Sequence, residues 1–168
     1  RAAVRWAVAD PGPTYLRVPR FKVPEVTPEG APFAPGRSVR LTDGDDVTVI
    51  ATGTLVSRAV AAADQLAGEG IGVRVLNMTF VDPLDTDAVL EAARQTRGIV
   101  TAEEATVTGG LGAAVASAVA ENHPVSMRIL GVRDTFAPTG DTTYLLEHFG
   151  LTSEGIADAV RSVLGHVA

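Results

Sequence analysis

No cysteine occurs among the 168 residues. Its absence removes disulfides, thiolate catalysis and cysteine-ligated zinc together, and it fits a reducing compartment such as the cytoplasm. No run of about 18 apolar residues is present to span a bilayer, and no charged-then-apolar leader marks secretion. A membrane is therefore not expected as a partner. Lysine is nearly missing too: of the 14 cations all but Lys22 are arginine, in a chain of formal charge −6. A nucleic-acid surface needs cations clustered on one face, and the one local concentration is Arg17, Arg20 and Lys22, so nucleic acid is not expected as a partner either. His123, His148 and His166 are dispersed, with no H-x-x-x-H or H-E-x-x-H pair to suggest a metal. None of Ser57, Ser117, Ser126 and Ser162 sits in a G-x-S-x-G elbow. Thr52-Gly53-Thr54 lacks the lysine of a phosphate-binding P-loop.

What is present is apolar and glycine-punctuated: 46% of the chain is hydrophobic, enough for one well-buried domain. The organising stretch is Val100 to Val115. A short run of β-formers from Ile99 to Ala102 delivers Glu103 and Glu104 into a glycine turn, Gly109 to Gly112, that opens a small-residue helix. Unpaired N–H groups at a helix start suit an anion, and glycine also lets a helix sit close on its sheet; the pattern alone leaves both open. A dinucleotide fingerprint is only partial, because Gly110 and Gly112 fit but Val115 fills the third glycine's place and the acids precede the turn. The rim Glu103, Glu104, Gly109, Gly110 and Gly112 is a candidate anion or interface site. As neighbours on a strand, the two glutamates would point to opposite faces, one salt-bridged or solvated and the other a structural rim carboxylate.

Three segments are expected. Residues 1–18 hold an amphipathic helix over Ala2 to Ala9, stopped by Asp10-Pro11-Gly12-Pro13, and a short alternating strand over Thr14 to Val18. A helix running from the first residue, in a chain that starts with Arg1, suggests a cut. Residues 19–36 carry five prolines and no period, and read as a linker. Residues 37–168 form the main unit, starting with a hairpin of Ser38 to Leu41 and Val47 to Ala51 around Thr42-Asp43-Gly44-Asp45-Asp46. Helices then alternate with apolar strands, with closing helices capped by Asp141 and Thr152. The pattern predicts an α/β fold, a three-layer, mostly parallel sheet with helices on both faces. Its strand ends would place Thr52-Gly53-Thr54, Val81-Asp82-Pro83 and Glu103-Glu104 on one rim, Asp85 serving as a helix cap.

Taken in order, V-T-V-I-A-T-G at Val47 to Gly53, V-L-N-M-T-F-V-D-P-L-D at Val75 to Asp85, I-V-T-A-E-E with G-G-L-G-A-A-V, and G-V-R-D-T-F-A-P-T-G with L-L-E-H-F-G-L-T resemble the C-terminal domain of transketolase-like thiamine diphosphate enzymes. The opening R-W-A-V-A-D-P-G-P-T-Y-L-R-V-P-R-F-K-V-P resembles the tail of the preceding pyrimidine-binding domain. Within that family the likeness is nearest to transketolases, particularly the C-terminal subunits of split ones, and less near to 1-deoxyxylulose-5-phosphate synthase, while the beta chains of 2-oxoacid dehydrogenases share the middle motifs but not the endings Phe136 to Gly140 and Leu145 to Thr152. Where many relatives carry histidine after the acid pair, this chain has Ala105.

The resemblance implies a five-stranded, mainly parallel sheet, a homodimer or larger assembly, and two-carbon ketol transfer between phosphorylated sugars. It further implies that thiamine diphosphate and Mg²⁺ belong to upstream domains or a partner subunit, with no catalytic, cofactor-binding or metal residue here and no activity from this part alone. The substrate phosphate would be met by Arg20, or by Arg17 if the register shifts by one arginine. A rival is a free-standing α/β module binding an anion or nucleotide at the Glu103 to Gly112 rim.

Overall fold

A computed structural model describes residues 2–31 and 33–165. A first helix, α1 (Ala2–Ala9), is followed by a long irregular arm, and the rest is a five-stranded sheet clothed in helices. In chain order these are β1 (Val39–Thr42), β2 (Val47–Ala51), α2 (Leu55–Ala67), β3 (Val73–Asn77), α3 (Thr86–Gln95), β4 (Gly98–Thr106), α4 (Leu111–Asn122), β5 (Ser126–Val132), α5 (Thr142–His148) and α6 (Ser153–Val163).

The sheet order is β1-β3-β2-β4-β5, with only β1 antiparallel. From β2 the chain steps one way to β3, then reverses past β2 to β4 and β5. Right-handed crossovers put the helix of the first step on one face and those of the later steps on the other. Two buried cores result. Leu55, Ala59, Ala62 and Leu66 of α2 recur at helical spacing and pack with Ile156 and Val160 of α6 against Val49, Val75 and Val100. On the opposite face Val89 of α3 and Leu111, Val115 and Val119 of α4 pack against Ile50, Leu76 and Ile99. All five residues of β2 are buried, which is why its run is apolar without alternation.

Two expected features are corrected. Thr14 to Val18 is exposed irregular chain and not a strand, because strand structure exists through ladder partners and no strand among the described residues pairs with this segment. The expected hairpin is not one, since β3 lies between β1 and β2. The Asp46 N–H donates to the Gly72 carbonyl at 3.0 Å, and the Asp46 carboxylate accepts from the Gly72 N–H at 2.8 Å. Gly44 rests on the Gly72 and Val73 backbone with no room for a Cβ. Residues 43–46 therefore arch across the start of β3, and composition alone cannot tell an arch from a two-strand turn.

The expected helix caps are present. Asp85 accepts from the Ala88 N–H and also from Ser38, Asp141 accepts from the Tyr144 N–H, and Thr152 accepts from the Gly155 N–H. Each satisfies a donor the first turn leaves unpaired.

Candidate functional site

β2 and β4 are neighbours whose connections leave to opposite faces, so the crevice beyond their carboxyl ends is the topological switch point, where open parallel sheets hold ligands. The β2–β4 ladder stops at Ala51 and Ala102 while β4 runs on to Thr106, its register with β5 broken between Ala102 and Thr106. The acid pair therefore lies on the projecting end of a strand that runs past the Ile99 to Ala102 run marked by the sequence. An irregular ladder of this kind re-aims side chains.

On that strand Glu103 and Glu104 face opposite ways, and each meets the start of a helix. The Glu103 carboxylate, 2% exposed, accepts the Leu111 N–H at Oε2 and the Gly112 N–H at Oε1, both at 2.9 Å. Gly110 leaves the space: a Cβ there would strike Glu103 Oε2. The anion at this helix N-terminus is thus the chain's own, and an incoming phosphate would meet donors already taken and a like charge. Gly112 serves close packing, since a Cβ would strike Ile129 and lie 2.9 Å from Thr101 Oγ1. Gly109, at φ 72°, makes the turn.

Glu104 serves α2. Its Oε2 accepts the Thr54 N–H at 3.1 Å, and Gly53, at φ 60°, passes so near the carboxylate that a Cβ would lie within 2.7 Å of Oε2. Its Oε1 pairs with Arg17 Nη2 at 3.0 Å. The structure thus brings together Arg17, Gly53, Thr54 and Glu104, of which the last three were expected on one rim and the first was not tied to them. Opposite charges far apart in sequence carry no spacing by which to pair them.

The arm carrying Arg17 and Arg20 is exposed at every residue from 11 to 25. At its upstream end Trp6 packs on Phe80 at 5.4 Å between ring centroids, and Phe33 on Phe80 at 5.2 Å. At its downstream end Val26 joins the α2 core and the Asn77 side-chain amide donates to Thr27 Oγ1 at 3.2 Å. A hollow of about 1110 Å³ separates α1 and the arm from Thr52, Gly53, Asn77 and the 79–83 loop. A second of about 380 Å³ lies between Arg17, Val18, Pro19 and Phe21 of the arm and Leu145, Phe149 and Leu151. Val81, Asp82 and Pro83 share the larger hollow with Thr52 and Gly53. Arg20 is exposed and lines neither hollow. It stays apart from Arg17's ion pair.

His123 closes α4, His148 lies against Tyr144 and Phe149, and His166 is outside the described residues. Among the described residues no group of three metal-binding side chains forms, and no helix is long and apolar enough to cross a membrane. The outward apolar side chains were not foreseen: Val8 is 83%, Tyr15 88%, Val18 71% and Phe136 101% exposed.

Residues 36–156 match the family model described as "Transketolase, C-terminal domain". The chain is 46% identical to a 6-deoxy-6-sulfo-D-fructose transketolase subunit of Clostridium sp. (strain MSTE9), over 97% of this chain and 51% of that one. It is 40% identical to an apulose-4-phosphate transketolase subunit of Phocaeicola vulgatus, over 93% of this chain and 50% of the relative. With the 1-deoxy-D-xylulose-5-phosphate synthase of Pelotomaculum thermopropionicum it shares 39% identity over 92% of its length and 25% of the synthase. A solved structure named "Split gene transketolase, inactive beta4 tetramer" superposes with a TM-score of 0.91 at 41% identity, covering 98% of this chain and 54% of the other. The chain thus spans about half the length of the subunit relatives it matches.

Proposed function

The chain belongs to the transketolase C-terminal domain family, and from that premise we propose that it is the scaffolding and subunit-contact part of a thiamine diphosphate-dependent transketolase whose reacting centre lies on an upstream half. The assembled enzyme transfers two-carbon ketol units between sugars that carry a terminal anionic group. Two relatives are named for sulfonated and phosphorylated sugars, and Arg20's guanidinium fork suits either oxyanion. Residues 1–18 are the tail of the preceding pyrimidine-binding domain, 19–36 the crossing linker and 37–168 the C-terminal domain. The enzyme works in the cytoplasm as a homodimer or larger assembly.

The observation that carries this reading is the filled switch point. Where an open sheet would hold a cofactor's phosphates, both helix starts already bear carboxylates of the chain. These residues do not fit a diphosphate or its Mg²⁺, so no chemical step is assigned to them. The bare apolar side chains of the arm and of Phe136 suit contact with the upstream half.

Calorimetry of this chain with thiamine diphosphate and Mg²⁺ should give no saturable heat, and adding the upstream half should bring both binding and ketol transfer. Tight binding to this chain alone would overturn the reading. The likeness to 1-deoxy-D-xylulose-5-phosphate synthases supports a second reading, favoured if the assembly forms 1-deoxyxylulose 5-phosphate and transfers no ketol unit.

A further inference from the structure

We infer that Glu104 is a positioning residue for substrate: by holding Arg17 it sets the course of the arm and so the place of Arg20. The inference rests on the reading of Arg20 above as the group that meets the sugar's phosphate. Residues 11–25 are exposed and belong to no helix or strand. Between the Trp6 stack and the Val26 and Thr27 anchors, the one polar contact from these residues to the rest of the described chain is the Arg17–Glu104 pair. A chain this free would spread a side chain over many positions, and each residue left loose costs ordering entropy when substrate binds.

Glu104 itself is held firmly. It extends from the sheet on β4, accepts the Thr54 N–H at 3.1 Å and sits against Gly53, which offers no Cβ to displace it. Arg17, Val18, Pro19 and Phe21 all line the hollow over α5, and Arg20 alone of residues 17–21 does not. With its neighbours on both sides bordering that hollow, Arg20 is left exposed beside it, free to meet whatever the arm faces in the assembled enzyme.

The test uses the assembled holoenzyme with a phosphorylated sugar and its unphosphorylated analogue. Arg17→Ala and Glu104→Gln should each raise KM for the phosphorylated sugar roughly threefold to fivefold, the range a partly exposed ion pair can supply. kcat and the unphosphorylated sugar should be unaffected, Arg17→Lys should restore much of the loss, and the double variant should be no worse than either single. Gln at position 104 keeps an acceptor for Thr54; if its thermal midpoint nevertheless falls, Arg17→Ala, which leaves that cap alone, decides. KM raised by Arg20→Ala but not by Arg17→Ala would overturn the inference and leave the proposed function standing. No effect of Arg20→Ala would remove the phosphate role of Arg20 itself, and additive losses in the double variant would show Glu104 acting apart from Arg17.

Discussion

Two adjacent glutamates at the end of β4 begin two helices on opposite faces of one sheet, and the two helix starts are built differently. At α4 both Glu103 oxygens are occupied by backbone donors inside the fold, and the side chain is buried. At α2 Glu104 gives one oxygen to Thr54, keeps 22% of its side chain exposed and turns the other oxygen to Arg17 of the arm, far upstream in the chain. A sealed carboxylate can only hold its own helix, whereas one with a free oxygen at the surface can couple its helix to a separate segment. Glu103→Ala should break this contrast hardest. It leaves two buried N–H groups unpaired, and bonds to a charged acceptor place the cost at about 3 kcal/mol. In a chain of this size that lowers the thermal midpoint by roughly 6–12 °C, readable by calorimetry. A drop no larger than that of Glu104→Ala would mean that burial does not separate the two helix starts.

Gly53→Ala sharpens the same contrast from the other side. An alanine held at φ 60° is strained by about 1–2 kcal/mol, and its Cβ would press on the Glu104 carboxylate. The midpoint should fall by roughly half the Glu103→Ala drop. The arm should also become more open to limited proteolysis between Pro13 and Pro24, because displaced Glu104 no longer meets Arg17. Destabilisation with an unchanged cleavage pattern would confine Gly53 to a local turn role and separate the arm from α2.

Most of the sheet and all its helices are legible in the sequence, because they rest on short-range signals. Apolar runs such as Val47 to Ala51 mark buried strands, while caps such as Asp85, Asp141 and Thr152 mark helix starts three residues from their donors. The opposite directions of Glu103 and Glu104 follow from strand pleat alone. What the sequence hides is long-range. Whether residues 43–46 form a turn or an arch depends on β3 arriving later to sit between β1 and β2. The filling of both helix starts from a single dipeptide depends on β4 outrunning β2 at Ala51. The Trp6, Phe33 and Phe80 stack joins three segments with no shared period.

The smallest expected effect lies just past the far end of α2, where a third glutamate is more exposed than either of the pair. Glu69 meets Arg161 of α6 through a two-point contact, 2.6 Å from Nη2 to Oε1 and 3.1 Å from Nε to Oε2. The hydrogen bond from Arg161 holds the Glu69 carboxyl below its ordinary value, against a smaller opposing push from desolvation. A carboxylate lowered in the folded state takes up its proton first in the unfolded chain. The pair therefore stabilises the fold above the ordinary carboxylate range, and that contribution is lost as pH falls through the lowered value. Glu69→Gln should lower the thermal midpoint slightly near neutral pH, and the two proteins should converge at acid pH. Added salt should shrink the neutral-pH gap, because the pair faces solvent. A gap that persists unchanged into acid would assign Glu69 to packing between α2 and α6. It would also mean that charge at this end of α2 does not follow the exposure ranking that separates Glu103 from Glu104.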